Sequence, residues 1–248
     1  MFPTAITQIR ALPVPPTAEG ALATGCLSAP ERQLMVKYRH PRRRTEFVAG
    51  RLALKGALLE TDGSAVRIGA AIPLPDLLLP AARRMQVLPA DDGRPRLWVD
   101  DVVAPTQLSI AHAAGWAAAG CSHLPIGIDI VDIDAPTAIP DDIPWLNGVE
   151  PGWRVRLRAL LWGLRECLLK TGQISAKTVW SLAGVEAGPI CAAGDLITRW
   201  PGVSCLMPLE IQAECKLLGG AFVPLSTSVL LVMILTPAPH PRNRMHVQ

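Results

Sequence analysis

Hydrophobic residues alternate with other residues in one short stretch near the middle of the chain. Ile126, Ile128 and Ile130 are each followed by a residue of another kind, and Asp129 stands among them. This period of two predicts a β-strand, with Asp129 on the face opposite the isoleucines. Burying a carboxylate there is costly unless it is paired, hydrogen-bonded or bound to a metal. An aspartate that makes a turn at the end of the strand is the structural alternative.

A longer stretch downstream repeats its apolar residues with the period of a helix. The repeat runs from Trp153 to Leu168 and follows Pro151, and Gly172 stands where a C-terminal cap is expected. Glu166 and Lys170 are one turn apart, so both side chains leave the same side of this predicted helix. The simplest interpretation of such a pair is a solvated ion pair.

A second amphipathic stretch predicts a helix over residues 45–60, with Thr45 as a candidate cap. Arg51 and Lys55 are four residues apart and share one face of it. Six basic residues lie just upstream, between Lys37 and Arg44. They suit phosphates or an acidic partner, and solubilising surface charge is the alternative for all of these basic groups.

The rest of the chain reads as short strands separated by turns. Asp91–Val99 (DDGRPRLWV) predicts a turn and a strand, and residues 108–122 contain the stretch SIAH with its histidine at 112. A lone histidine is more often structural than functional. Residues 134–151 form a predicted loop that contains Trp145, and further short strands are predicted after residue 174, including TVWSLAG and a segment around Cys191.

The composition narrows the class of protein. Of 248 residues, 50% are hydrophobic and 18% charged, which is typical of a globular chain with a sizeable core. The apolar run at residues 229–235 is too short to span a bilayer. The N-terminus shows no signal segment, and the six cysteines form no C-x-x-C pair, which favours a cytoplasmic protein with reduced thiols. A net charge of +3 fits an anionic ligand or an acidic partner and does not indicate nucleic acid.

These motifs together resemble a known family. GID in a strand, followed by a helix with W-x-x-R-E-x-x-x-K, is similar to the 4′-phosphopantetheinyl transferases of the Sfp-like kind. GRP at residues 93–95 and SIAH at residues 109–112 stand in the family's order. The resemblance implies an α/β (α+β) fold of two similar halves related by pseudo-twofold symmetry. We expect an N-terminal half at 1–123, a C-terminal half at 124–237 and a loose tail at 238–248.

The resemblance also implies a reaction. Family members move phosphopantetheine from coenzyme A to a serine of an acyl or peptidyl carrier protein, with Mg²⁺, and release adenosine 3′,5′-bisphosphate. Asp129 and Glu166 correspond to the residues that bind the metal, Glu166 to the base and Lys170 to a group that stabilises charge on the phosphates. The positions implied to contact coenzyme A are Arg51, Lys55, Arg94, Pro95, His112 and Lys170. A monomer is implied, with no nucleic-acid or membrane partner.

The chain departs from the family pattern at three places. Many members have glutamate where this chain has Val131, lysine where it has Arg165, and serines where it has Ala111 and Ala113. These changes allow a second hypothesis, a relative that binds coenzyme A or a carrier protein without turnover. An unrelated α/β protein with chance motifs is a third.

Overall fold

The computed structural model of this chain describes residues 8–15, 17, 25–59, 66–68, 76–139, 146–172, 185–188, 207–213 and 216–235. These residues contain four α-helices: α1 Ala29–Lys37, α2 Pro41–Leu59, α3 Leu79–Arg84 and α4 Pro151–Thr171. A 3₁₀ turn, Asp76–Leu78, precedes α3. The same residues contain twelve strands: β1 Gln8–Pro13, β2 Val66–Ile68, β3 Met85–Pro89, β4 Pro95–Val99, β5 Val102–Val103, β6 Gln107–Ala113, β7 Trp116–Ser122, β8 Ile126–Asp132, β9 Val185–Gly188, β10 Met207–Ala213, β11 Lys216–Pro224 and β12 Val229–Leu235. The predicted mixed α/β class is confirmed.

The described strands form three sheets. The first has the order β2-β1-β7-β6, the second β8-β12-β11-β10-β9 and the third, a smaller one, β3-β4-β5. Strand β1 pairs with β2 in parallel, whereas the other pairs are antiparallel. In the second sheet Ile130 lies opposite Leu231 and Ile128 lies opposite Met233.

The two larger sheets stack on each other, and each carries a long helix on its outer face. Helix α2 packs on β7 and β1, and α4 packs on β8 and β12. The apolar layer between the sheets includes Ile9 and Ala118 from the first sheet and Ile128 and Leu231 from the second. Because side chains alternate along a strand, each sheet can also fill the layer under its own helix. Leu12 does this beneath α2, and other apolar residues do it beneath α4.

Strand β8 shows this alternation most clearly. Ile126, Ile128 and Ile130 are buried between the sheets. Asp129 lies on the opposite face, where Lys170 of α4 reaches it. The predicted placement of Asp129 opposite the isoleucines is confirmed. Val131, on the same face as Asp129, is buried in the apolar layer under α4.

The ends of the long helices follow their sequence signals, with one correction. Helix α4 begins at Pro151 and ends at Thr171. Gly172 caps it with a left-handed backbone (φ 64°), and its amide donates to the Leu169 carbonyl. Helix α2 begins at Pro41, four residues earlier than predicted, because proline is well suited to the first helical position. Thr45 therefore lies inside the helix and donates to the Arg42 carbonyl instead of capping the first turn.

Several predictions fall on other parts of the chain. Trp145, the TVWSLAG segment, Cys191 and the tail 238–248 lie outside the described residues. The predicted boundary at residue 123 falls in the turn between β7 and β8, and the division into two halves stays a prediction. Among the described helices, none is long and apolar enough to cross a membrane.

Candidate functional site

The structure gathers six of the eight predicted site residues in two neighbouring places. One is a cavity of about 350 Å³ between α1, α2, the β3–β4 turn and β6. The other is a cluster of charged side chains where β8 meets the end of α4. Arg51, Pro95 and His112 line the cavity, and Asp129, Glu166 and Lys170 form the charged cluster.

The cavity combines an apolar wall with a few charged groups. Leu34, Tyr38, Phe47 and Ile110 supply apolar or aromatic surface. Its lining also contains the charged residues Arg43, Glu46 and Arg51 and the imidazole of His112. Cavities of this size that combine apolar surface with convergent polar groups are typical ligand sites. Two arginines and one carboxylate give the cavity lining a net positive charge, which favours an anionic ligand.

Glu46 is a cavity residue that the sequence did not indicate. Its side chain is only 8% exposed and accepts from Arg42 Nε at 2.9 Å and from Arg43 Nη1 at 3.4 Å. His112 Nδ1 lies 3.5 Å from Glu46 Oε2. The spacing of four residues between Arg42 and Glu46 was a signal for an ion pair on one helix face. The contact with His112 joins positions that are far apart in the chain, so no local pattern reveals it.

His112 sits on β6 with its side chain toward α2. Burial lowers the pKa of this imidazole, and Arg43 and Lys170 lower it further, whereas Glu46 opposes the shift. A neutral histidine with an acidic neighbour can accept a proton when an anion enters the cavity. The cavity and the charged cluster are neighbours because β6, which carries His112, is hydrogen-bonded through Ser109 to β8, which carries Asp129.

Arg51 and Lys55 share a face of α2, as predicted, but they have different surroundings. The Arg51 guanidinium lies 4.3 Å from the centre of the Phe47 ring, and its Nη2 donates to the Val87 carbonyl at 3.0 Å. Lys55 is fully buried and donates to Glu31 Oε2 at 2.5 Å and to the Cys26 carbonyl at 2.8 Å. The structure therefore does not bring the Lys55 ammonium to the cavity, because α1 covers that part of the face.

Arg94 connects the β3–β4 turn to the end of α4. Its guanidinium packs against Gly172, so that a β-carbon at position 172 would overlap it. A cation at the C-terminus of a helix is favoured by the exposed carbonyl groups of the last turn. The side chain is 51% exposed, and its Nε lies 3.8 Å from Asp92 Oδ2. Arg94 is thus placed between the cavity, which Gly93 and Pro95 line, and the helix that carries Lys170.

The charged cluster joins β8 to α4. Lys170 Nζ donates to Asp129 Oδ1 and to the Ile128 carbonyl, both at 2.7 Å. Burial raises the pKa of Asp129, Lys170 counters this shift, and the nearby Glu166 carboxylate adds to it. Glu166 lies one helical turn before Lys170 on α4, on the same side of the helix. Arg165 Nη2 lies 3.4 Å from Glu166 Oε1.

Asp129 and Glu166 are partly buried carboxylates, 14% and 28% exposed, and so are oxygen ligands of the kind that a hard divalent cation takes. Mg²⁺ is often held by one or two carboxylates and keeps several water molecules. Within the described ranges, no group of three or more His, Cys, Asp and Glu side chains could hold a metal ion. Val131, where many members of the family have glutamate, is buried among apolar residues under α4. The donor set of Asp129 and Glu166 fits Mg²⁺ with water ligands better than a metal that needs three or four protein ligands.

Ser109 matches the pattern of the resembled family, and two of the departures from it, Ala111 and Arg165, have structural explanations. Ser109 Oγ accepts a hydrogen bond from the Ile128 amide at 2.9 Å, so this hydroxyl ties β6 to β8. Ala111 is buried between the two sheets, where a serine hydroxyl would need a partner. Arg165 is 4% exposed and stacks 3.8 Å from the centre of the Trp162 ring. A planar guanidinium suits this stacking better than the ammonium of lysine.

Glu31 is a second acidic residue for which the sequence analysis predicts no role. The spacing Ser28-x-x-Glu31 is the signature of a capping box, which the structure contains at the start of α1. That signal was available in the sequence. The contacts of Glu31 with residues of α2 and β3 were not, because they depend on how α1 packs.

Comparison with known proteins adds no relative to this picture. A scan against protein-family models finds no model that matches the chain, and a search of curated proteins finds no match to it.

Proposed function

We propose that this protein is a 4′-phosphopantetheinyl transferase of the Sfp-like kind. It transfers phosphopantetheine from coenzyme A to a serine of an acyl or peptidyl carrier protein. The observation that carries this proposal is the contact of Asp129 from β8 with Lys170 of α4, one helical turn after Glu166. This cluster adjoins a cavity that presents Arg51 and His112. The motif order in the sequence and the arrangement in space therefore point to the same chemistry.

The arrangement of layers supports the two-half architecture that the proposal requires. On each side of the interface between the two large sheets, a long helix covers a mainly antiparallel sheet. The proposed halves meet where Ser109 bonds to the Ile128 amide. The cavity lies on the first-sheet side, and the charged cluster lies on the second-sheet side. A ligand that spans both could have its nucleotide part in the cavity and its reacting part near Lys170.

The residues of this chain have distinct roles in the proposed reaction. Asp129 and Glu166 are the residues that would hold Mg²⁺, which neutralises negative charge on the coenzyme A pyrophosphate when it is bound. Glu166, directly or through a water molecule, takes the proton from the carrier serine, because a neutral hydroxyl is a weak nucleophile. The serine oxygen bonds to the β-phosphorus, the bond to the bridging oxygen breaks, and adenosine 3′,5′-bisphosphate leaves. Lys170 stabilises the negative charge that develops on the phosphates.

The cavity residues bind and orient coenzyme A in this proposal. Arg51 and His112 meet anionic groups from the cavity wall, and Arg94 approaches them from the β3–β4 turn. Pro95 gives this turn a fixed shape beside the ligand. The exposed arginines at the start of α2, among them Arg42 and Arg43, would suit the acidic surface of a carrier protein. A cytoplasmic, monomeric enzyme belongs to the same proposal.

The decisive experiment is intact-mass spectrometry of apo carrier proteins incubated with this protein, coenzyme A and Mg²⁺. We expect the carrier to gain the mass of one phosphopantetheine group. Glu166→Ala should slow the reaction by about 10²–10⁴-fold, since a positioned general base contributes about that much. Glu150→Ala is the matched control, because Glu150 precedes the same helix and its side chain makes no capping hydrogen bond. A carrier that gains no mass from wild-type protein across a broad panel would refute the transferase proposal.

A binding protein without turnover is the second candidate, and two observations favour it. Lys170 already pairs with Asp129, and the third acidic position of many family members is the buried Val131. Calorimetry with coenzyme A separates the two candidates. Binding without mass transfer would indicate the binding protein, whereas mass transfer that needs Glu166 would indicate the enzyme.

A further inference from the structure

The carboxylate of Glu31 is completely buried and contacts the cap of its own helix and two other elements, α2 and β3. Its Oε2 accepts from the Ser28 amide at 2.8 Å and from Lys55 Nζ at 2.5 Å. Its Oε1 accepts from the Val87 amide at 3.1 Å and lies 3.5 Å from Arg51 Nε. The side chain has no exposed surface. One oxygen thus faces the capping box and Lys55, and the other faces β3 and Arg51.

Arg51, Val87 and Glu31 form a closed ring of contacts. Val87 donates its amide to Glu31 and accepts from Arg51 Nη2 through its carbonyl, at 3.0 Å. The Phe47 ring covers the guanidinium at 4.3 Å. The Arg51 guanidinium, which is 11% exposed and lines the cavity, is thus held by one hydrogen bond, one ring contact and the ion pair with Glu31. Among the described residues its buried Nε has no hydrogen-bond partner, so Glu31 acts on it through charge.

Lys55 and Arg51 lie at different distances from the Glu31 carboxylate. Glu31 is one carboxylate between two cations, and Lys55 at 2.5 Å is much closer to it than Arg51 at 3.5 Å. Lys55 is the nearer counter-ion, so a positive charge on Arg51 is left for an anion in the cavity. A capping box alone needs only the oxygen that faces Ser28. The second oxygen, toward Val87 and Arg51, requires a different explanation.

We propose that Glu31 is a positioning residue that holds the Arg51 guanidinium at the cavity wall for an anionic group of the ligand. Lys55 is its buried counter-ion and does not contact the ligand. The identity of the ligand as coenzyme A rests on the proposed function. The positioning of Arg51 rests only on the contacts of Glu31, Val87 and Phe47.

The test uses a variant that removes the buried charges together. Glu31→Gln alone would leave Lys55 buried without a counter-charge, which often prevents folding. The variant Glu31→Gln/Lys55→Met removes both charges with side chains of similar length. It is compared with Arg51→Gln, with the triple variant and with wild-type protein. Circular dichroism and urea unfolding establish that all four proteins are folded.

Calorimetry with coenzyme A and with adenosine 3′,5′-bisphosphate then gives a double-mutant cycle. We expect Glu31→Gln/Lys55→Met and Arg51→Gln each to weaken binding by roughly tenfold, within the range for groups that act as a unit. The triple variant should bind no more weakly than Arg51→Gln, because Glu31 acts through Arg51. Unchanged binding by Glu31→Gln/Lys55→Met, or losses that multiply in the triple variant, would overturn the proposal.

A ligand-independent measurement separates this proposal from the proposed function. The Arg51 Nε–H signal in a ¹H–¹⁵N spectrum is assigned by its absence from Arg51→Gln. We expect a resolved, slowly exchanging signal in wild-type protein that moves and exchanges faster in Glu31→Gln/Lys55→Met. If neither nucleotide binds wild-type protein but this signal behaves as expected, the proposed function is wrong and the positioning stands. A signal that does not respond to loss of Glu31 overturns the positioning, whatever the nucleotides do.

Discussion

β8 and α4 are in close contact at Gly127, because glycine has no β-carbon that would keep the two backbones apart. A β-carbon at position 127 would overlap the carbonyl oxygen of Cys167. It would also lie 2.7 Å from the carbonyl carbon of Cys167 and 2.9 Å from its Cα. Real β-carbons essentially never approach other atoms within 3.0 Å. Gly127→Ala therefore requires the strand or the helix to move.

Neither element can move without disturbing its packing. The atoms in question belong to the backbone of α4, so a change of side-chain rotamer does not relieve the overlap. Cys167 is fully buried, and its thiol donates to the Val232 carbonyl at 3.3 Å. Moving α4 away from β8 would loosen this contact and the apolar layer beneath the helix. It would also lengthen the 2.7 Å contact between Lys170 and Asp129, two residues along the strand from Gly127.

The size of the effect follows from two opposing contributions. Replacing glycine by alanine within a strand ordinarily stabilises a protein by about 0.5–1 kcal/mol, because glycine loses more conformational freedom on folding. Overpacking a rigid site costs about 1–3 kcal/mol and sometimes more. Since both neighbours are backbone, we expect the cost to exceed the gain. The net loss should be about 1–3 kcal/mol, a large part of a typical stability of about 5–15 kcal/mol.

Urea unfolding followed by tryptophan fluorescence measures this loss, since the chain has seven tryptophans. Gly152→Ala is the matched control. Gly152 lies in the first turn of α4, and a β-carbon there would meet Glu150 Oε1 at an ordinary 3.9 Å, with no tighter contact among the described residues outside its own turn. We expect this control to match wild-type protein or to gain up to about 1 kcal/mol. If Gly127→Ala unfolds at the wild-type urea concentration with the same slope, the backbones of β8 and α4 are not in close contact at this position.

Two further predictions concern titratable groups. Burial lowers the pKa of His112 below its usual 6.5, so its contribution to stability is complete above pH 6.5 and is lost as the pH falls through the lower folded value. Wild-type protein should therefore lose more stability than His112→Gln between pH 7.5 and 5 in urea titrations, and equal losses would contradict this. Burial also raises the pKa of three thiols, that of Cys26 to about 11 and those of Cys121 and Cys167 in the same direction. At least three of the six cysteines should thus resist a thiol reagent at pH 8 until urea is added, and rapid reaction of four or more in folded protein would refute their burial.

The sequence by itself determined the features that depend on local periodicity. Alternation along β8 placed Asp129 on the face opposite the isoleucines, because successive side chains of a strand point to opposite sides. The apolar repeat and Gly172 fixed α4 and its end, since a glycine readily takes the left-handed conformation that closes a helix. Glu166 and Lys170 were expected on one side of this helix for the same kind of reason. These relations span only a few residues, so the pattern of residue types is sufficient to read them.

Tertiary structure decided which of these side chains meet. Arg51 and Lys55 look equivalent in the sequence, yet one lines the cavity and the other is buried under α1. The partners of Glu31 on α2 and β3 are up to 56 residues away, and Lys170 reaches Asp129 across 41 residues. Such contacts arise when whole helices and sheets pack to bury apolar surface, and charged groups then pair with whatever that packing brings near. Periodicity therefore predicts the face of a helix or strand on which a side chain lies, whereas its partners on other elements are known only from the packing of those elements.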